Sequence, residues 1–469
     1  MGGWMGSILE VDLEKRECRE RSLPGEFLHA WLGGRGLGVR LLYQRARKVD
    51  PLHPENPLIF ATGPLTGTPV PTAGRFSLVT RSPLTGTVFD GNSGGRWGVE
   101  LKRSGLDALV VTGRSAEPVF LLVEDGRARL LDAAKLWGKG TVAAKEILSR
   151  EYPGAGIAAI GPAGENLCLF AAIMNDGSRA LGRGGVGAVM GAKNLKAIVV
   201  RGKRKVPVNE AGKLAYVVSE SRRWIKANPV TSVGLPRFGT SVLVNLMNEL
   251  GVFPARNFRS SRFEGAENIS GESLEERFLR RRRACWGCPI GCGRVTEAGG
   301  LRGEGPEYES VWALGAQCGV DDLERIVLAN YLCNDLGLDT ISTGSTIGCC
   351  MELSERGRVE KGPRFGDADA LLGLIEDIAY RRRLGGELAE GSRRFAASRG
   401  EEALAMQVKG LELPAYDPRG LQGQGLSFAT SNRGGCHLRA YLVGPEVLGI
   451  PKMVDRHSTL DKPGLTIFA

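Results

Sequence analysis

The chain is 469 residues long, with 62 Lys+Arg against 52 Asp+Glu and a formal charge of +10. Hydrophobic residues make up 42% and charged residues 24%, which excludes disorder as the main state and leaves length for about three domains. No apolar run reaches the ~18 residues of a membrane span, and Met1 to Cys18 lacks the apolar core of a secretory signal, so a cytoplasmic location is expected.

In chain order, the first 200 residues read as β-rich. Ile8 to Leu13 alternates, as a half-buried strand does. Leu106–Thr112 and Leu195–Val200 are further strand-like runs, and Pro118–Asp132 holds two apolar runs joined by Asp125-Gly126, a hairpin signature. Thr62–Gly74 and Pro83–Gly98 are too rich in glycine for helix. Beyond Val208 the period changes: Lys213–Lys226, Leu323–Leu336 and Ala368–Ala379 carry helical spacing. The expected class is α+β, with a β-rich domain over 1–208, a mainly helical domain over 209–400 and a partial helical domain over 401–469. Glycine, at 67 residues, is about twice its usual ~7% share, which points to backbone approaching ligands closely.

Four constellations carry chemistry. Gly34-Arg35-Gly36-Leu37-Gly38 is not among them; it lies in a helical stretch and reads as structural. The first is Asn175 to Gly187, which includes Arg179, Ala180, Gly182 and Arg183. Its G-x-G-x-x-G lettering is weak evidence for a dinucleotide fold, because no strand is expected to run directly into it. Two arginines among glycines more simply make a phosphate cradle, where guanidinium forks and bare N–H groups converge. Arg75 and the Asn92-Ser93-Gly94-Gly95-Arg96 turn add polar groups on glycine-rich backbone.

The second is Cys285-Trp286-Gly287-Cys288-Pro289-Ile290-Gly291-Cys292. C-x2-C-x3-C lets one tight loop bring three thiolates onto an iron–sulfur core. A zinc site, or cysteines packed as small hydrophobes, are the alternatives. The preceding basic run, Arg277 and Arg280–Arg283, is either a solvated helix end or a field favouring phosphates or an acidic electron partner. In the third, Glu307 and Glu309 of Gly305-Pro306-Glu307-Tyr308-Glu309-Ser310 share a side if the segment is extended. The fourth, Ser431 to Arg439, contains His437, one of only four histidines.

Together these constellations, with Ala61-Thr62-Gly63-Pro64-Leu65-Thr66-Gly67-Thr68 and Asn334-Asp335-Leu336-Gly337-Leu338-Asp339, resemble the tungsten-containing aldehyde ferredoxin oxidoreductase family from Ile8 to about His457. The resemblance implies an N-terminal β-sheet base carrying a tungsten or molybdenum bis-molybdopterin cofactor, with Mg2+ bridging the pterin phosphates, under two mainly helical domains. It implies pterin contacts at Arg75, Asn92, Gly94, Arg179, Ala180, Gly182 and Arg183. Further contacts are implied at Asn334, Leu338, Asp339, Arg433 and Arg439. Asn334 stands where the family often has Asp. A [4Fe–4S] cluster is implied at Cys285, Cys288 and Cys292, with Glu309 moving protons and His437 orienting or polarising a carbonyl.

The implied reaction turns an aldehyde into a carboxylic acid and passes electrons through the cluster to ferredoxin or another acidic carrier. One departure is expected to matter. The family's fourth cluster cysteine lies in a D-x-x-G-L-C pattern that these residues lack, so the chain reads as a C-terminally truncated member. A homodimer or a separate C-terminal segment joins the expected partners, and nucleic acid does not. Cys318, Cys333, Cys349, Cys350 and Cys436 read as buried packing. The alternatives are a reductase of aromatic acyl thioesters on the same fold, and an inactive cofactor-binding or electron-transfer scaffold that needs a separate C-terminal chain.

Overall fold

A computed structural model describes residues 2–45 and 49–468. Two six-stranded sheets dominate the first 200 residues. Their strands are β1 (Ser7–Asp12), β2 (Glu17–Ser22), β3 (Leu58–Thr62), β4 (Phe76–Arg81), β5 (Val88–Ser93), β6 (Ala108–Thr112), β7 (Val119–Glu124), β8 (Arg127–Asp132), β9 (Gly156–Ala159), β10 (Ile173–Asn175), β11 (Arg179–Leu181) and β12 (Leu195–Arg201). One sheet has the order β2-β1-β6-β3-β4-β5 and the other β11-β10-β9-β12-β7-β8. Each contains one parallel pair, β1 with β6 and β7 with β12.

The hairpin forms at Asp125-Gly126, where both residues take positive φ (48° and 87°), the pair that a two-residue primed turn requires. Helices interleave with these strands more than the sequence reading expected: α1 (Gly25–Trp31), α2 (Gly34–Arg45), α3 (Trp97–Arg103), α4 (Thr141–Glu151), α5 (Pro162–Glu165) and α6 (Val186–Ala192). Pro83–Gly98 therefore holds β5 and the start of α3, despite its glycines. Packing overrides weak local propensity here, since every residue from Trp97 to Lys102 is buried.

Alternation decides which face each sheet buries. Ile8, Ile59, Ala61, Val79, Ala108 and Val110 point to one side and meet Leu37, Leu41 and Leu42 of α2. A Cβ on Gly38 would lie 2.5 Å from Val79 Cγ2, so this glycine lets α2 sit directly on β4. On the second sheet Phe120, Leu122, Ile157, Ala159, Ala197 and Val199 cluster with Leu148 of α4. Trp97 packs against Phe76 and Phe60, with ring centroids 4.6 and 5.2 Å away, and donates Nε1–H to the Ile198 carbonyl. Two fully buried lysines are paired as burial demands, Lys102 with Asp107 and Lys196 with Glu165.

The chain divides into two compact units. The first comprises 1–236, 282–293 and 334–339; the second comprises 237–281, 294–333 and 340–469. These differ from the sequence boundaries at 208 and 400: a long helix, α7 (Ala211–Ala227), belongs to the sheet-bearing unit. Helices then predominate, as α8 (Leu235–Phe238), α9 (Leu243–Glu249), α10 (Gly271–Phe278), α11 (Tyr308–Leu314), α12 (Leu323–Leu336), α13 (Thr340–Glu355) and α14 (Ala368–Ala379). In the second unit α13 is buried from Ile341 to Leu353. A Cβ on its Gly344 would come 2.0 Å from the Ala313 carbonyl, so α11 and α13 meet backbone to backbone. Within the basic run, Arg277 stands in the last turn of α10, while Arg280–Arg283 lie on a strand, β13 (Leu279–Arg283), rather than at a helix end. Among the described residues, no helix is long and apolar enough to cross a membrane.

Candidate cofactor cradle and acid–base pair

In the first unit, Arg179, Ala180 and Leu181 form the short strand β11, which runs straight into Gly182. That corrects the expectation that no strand precedes the glycine pattern. The strand is an edge hairpin with β10 rather than the parallel strand of a dinucleotide fold. The turn between β10 and β11 is held by its own polar residues. Buried Asn175 accepts from Ser93 Oγ (2.5 Å) and donates to the Gly94 carbonyl (2.9 Å). Asp176 accepts from the backbone N–H groups of Arg96 (2.5 Å) and Trp97 (3.2 Å), capping α3. Farther on, Gly185 has φ 72°, and a Cβ there would sit 2.1 Å from the Leu169 carbonyl.

The segment 334–339 joins this turn within the same unit. Arg183 Nε lies 3.5 Å from Asp339 Oδ2, and both side chains are buried. Leu338 bridges to Ala171, and the Asp339 N–H donates to the Phe170 carbonyl (3.2 Å). A Cβ on Gly182 would come within 3.2 Å of Asp339 Oδ1. Asn334 meets Thr141 through its carbonyl, which accepts from Thr141 Oγ1 (2.8 Å). Asn92 accepts from Ser77 Oγ (2.7 Å), and Arg75 is exposed immediately before β4.

The cysteine loop lies beside this turn. A cavity of about 320 Å³ is lined by Arg96, Lys145, Asp176, Arg179, Arg283 and Cys285, among others. Four cations and one carboxylate make it a place for anions. Arg283 Nη1 donates to Ser178 Oγ (2.9 Å), and a Cβ on Gly94 would sit 2.9 Å from Cys285 Sγ. These glycines keep the backbone bare where a Cβ would fill the space. With cationic and amide donors around them, the residues fit a phosphate-bearing pterin.

Cys285, Cys288 and Cys292 are half-exposed on a loop in which Gly287 and Gly291 take positive φ, 63° and 68°. Among the described residues, no group of three His, Cys, Asp or Glu side chains is arranged to hold a metal ion. Three thiols on one loop suit an iron–sulfur core by donor chemistry, while their ligating arrangement is not preformed.

In the second unit the two carboxylates of the acidic turn part company. Glu307 is extended (φ −79°, ψ 166°), but Tyr308 begins α11, so Glu307 and Glu309 do not share a strand face as the sequence reading proposed. Glu307 accepts from Thr240 Oγ1 (2.5 Å) and lies 3.6 Å from Arg294. Glu309 Oε2 accepts from the Ala415 N–H (3.0 Å), and its Oε1 lies 3.9 Å from His437 Nδ1. The pair is mostly buried, with side chains 14% and 16% exposed.

Three tyrosines to which the sequence reading gave no role pack nearby. Tyr308 donates to the Ala415 carbonyl (2.8 Å), its ring lies 5.6 Å from Tyr416, and the Tyr416 and Tyr441 hydroxyls are 3.3 Å apart. Burial pushes all three phenols upward, and the Glu309 charge adds to each shift, so they stay protonated. Tyr308, between Glu307 and Glu309, and Tyr441, four residues beyond His437, stood near sequence signals; Tyr416 did not. Arg433, buried, donates to Cys436 Sγ (2.7 Å), and Arg439 donates to Asn432 Oδ1 (3.2 Å). A carboxylate and an imidazole held this close, in an enclosure of neutral phenols, can exchange protons with a bound substrate.

Comparison with known proteins accounts for both units. Residues 8–202 match the family model for the aldehyde ferredoxin oxidoreductase N-terminal domain, and residues 216–469 match that for domains 2 and 3. A tungsten-containing aldehyde ferredoxin oxidoreductase of Thermococcus kodakarensis is 50% identical over 98% of this chain and 78% of its own length. One from Pyrococcus furiosus is 49% identical with the same coverage. Among solved structures, the active-site complex BamBC of benzoyl coenzyme A reductase aligns with TM-score 0.83 at 28% identity, over 92% of this chain and 69% of that one. With both modules matched and half of all residues shared with such relatives, the chain belongs to the aldehyde ferredoxin oxidoreductase family.

Proposed function

We propose that this chain oxidises aldehydes to carboxylic acids at a tungsten bis-pterin and passes the electrons through an iron–sulfur cluster to ferredoxin. The observation that carries the reading is the Glu309–His437 pair, 3.9 Å apart and enclosed by Tyr308, Tyr416 and Tyr441, in a chain of this family. Aldehyde and water give carboxylate, three protons and two electrons. When bound, the metal–pterin group supplies the two-electron acceptor and the cluster a one-electron exit.

The chain's own residues do the rest. Arg179 and Arg183 would hold pterin phosphate, with Arg75, Asn92, Gly94, Ala180, Gly182, Leu338 and Asp339 setting the cradle around it. Asn334, Arg433 and Arg439 complete the proposed contacts. The Ala415 N–H orients the Glu309 carboxylate through Oε2, and Glu309 takes a proton from water or substrate. His437, when protonated, donates to the aldehyde oxygen and stabilises the charge that gathers there. Neutral phenols around Glu309 keep the pair dry without adding charge. Cys285, Cys288 and Cys292 would ligate the cluster.

Glu309→Gln tests this reading. Aldehyde-dependent viologen reduction should fall about 10²–10⁴-fold, with bound tungsten and pterin unchanged. Activity within a few-fold of the parent would remove Glu309 from the chemistry. Absence of turnover in a parent chain that carries metal and pterin would favour the scaffold reading, and dye-driven reduction of an aromatic acyl thioester would favour the reductase.

A further inference from the structure

Helix α7 is poorly accounted for by the fold that carries it. It is 17 residues long, about 25 Å at 1.5 Å per residue, and Val218 is its only buried residue. In proteins most of a helix's stability comes from packing an apolar face rather than from propensity. Leu214 and Val218, four apart, line an open cavity of about 550 Å³ together with Pro69 and Val208. Arg222, Arg223 and Lys226 line the same cavity at the C-terminal end of the helix. The opposite side is apolar as well, with Val217 56% and Trp224 76% exposed.

The geometry points to a docking groove for an acidic amphipathic helix contributed by another polypeptide. Its apolar side would lie along Leu214 and Val218, and its carboxylates would meet Arg222, Arg223 and Lys226. The charge pattern selects this occupant. Within α7, Lys213, Arg222, Arg223 and Lys226 stand against Glu220 alone. A second copy docking through the same face would set these cations against each other, which is unfavourable at contact distance. A lipid surface suits a helix whose apolar stripe protrudes, whereas Leu214 and Val218 are recessed in a concavity that the three cations share. No residue of this face belongs to the cradle or to the acid–base pair.

The experiment uses the full chain and two synthetic helical peptides of α7's length. Both carry leucine at i, i+4 spacing, flanked by glutamate in one and by lysine in the other. Calorimetry should show the glutamate peptide binding at least about tenfold more tightly, with the preference reversed in Arg222→Glu/Lys226→Glu. Leu214→Ser should weaken the glutamate peptide by a similar factor. Circular dichroism and viologen reduction of the variants should match the parent, which separates loss of docking from loss of fold. Equal binding of the two peptides, no binding of either, or a preference that charge reversal leaves intact would each overturn the assignment. So would self-association through this face in sedimentation, or tighter binding to phosphatidylserine vesicles than to the peptide.

Discussion

The turn at 175–187 and the cysteine loop at 285–292 border one cavity, yet the protein holds them by different means. The turn is cross-linked by side chains: Asn175 and Asp176 satisfy backbone and hydroxyl groups of the 93–97 segment, and α6 behind it is buried throughout. The cysteine loop is half-exposed. Backbone hydrogen bonds at this loop are long, at 3.2–3.3 Å: Trp286 N–H to the Gly95 carbonyl, Thr72 N–H to that of Gly287, and Cys288 N–H to that of Cys285. Arg103, stacked 5.5 Å from the Trp286 ring, adds a contact at one end. The polypeptide alone builds the anion cradle, while an inorganic group is left to shape the thiol loop. Evolutionary or engineered change should therefore be tolerated very differently on the two sides of the cavity.

The strongest way to break the comparison is Gly185→Val. The side chain would meet the Leu169 carbonyl in a backbone region that suits glycine, so unfolding should be favoured by more than about 4 kcal/mol. Thermal melts that match the parent would show the turn to be as pliable as the loop. Asp176→Ala should cost about 1–3 kcal/mol, because two N–H groups at the start of α3 lose their acceptor. Arg179→Ala with Arg183→Ala should strip pterin and tungsten together from the purified protein; full cofactor with a raised KM would place both arginines at the substrate instead.

Cys288→Ser sharpens the contrast from the other side. Stability of the metal-free protein should change by no more than about 0.5 kcal/mol, while iron and sulfide content falls. A large loss of metal-free stability would mean that the loop is built like the turn.

A further test is one of pH. Burial pushes the Lys193 ammonium, at the end of α6, down to about 7, partly offset by Asp12. The unfolded lysine binds a proton that the folded one releases, so this group adds stability as pH rises from about 7 toward 10.5, by up to about 1.4 kcal/mol per unit. Denaturant titrations should show that slope in the parent and lose it in Lys193→Met.

Regular periodicity was readable wherever it reported local structure. The Asp125-Gly126 hairpin and the helices at 323–336 and 368–379 stand where their spacing put them. The helices among the first 200 residues were hidden, because α2 has three glycines in its first five residues and owes its stability to the apolar side it buries. Glu307 and Glu309 were misplaced for a non-local reason. Thr240, distant in sequence, accepts from the Tyr308 N–H and donates to Glu307, and so sets where α11 begins. The site residues on glycine-rich motifs were visible because bare backbone and charge are compositional signals. Tyr416 was not, because its place beside Glu309 depends on how 415–416 passes α11, which no local pattern encodes.

The segment 334–339 has a consequence for synthesis. It completes the first unit by bridging Ala171, accepting from Ala172 through Gly337 and pairing Asp339 with Arg183. Those partners leave the ribosome more than 150 residues earlier. At about 5–20 residues per second, the nascent cradle waits on the order of ten seconds or more for its last wall. During that interval Arg183 and the edge at Ala171–Ala172 lack their eventual neighbours, and a chaperone or a cofactor carrier reaching the nascent chain would meet an open cradle rather than a finished one.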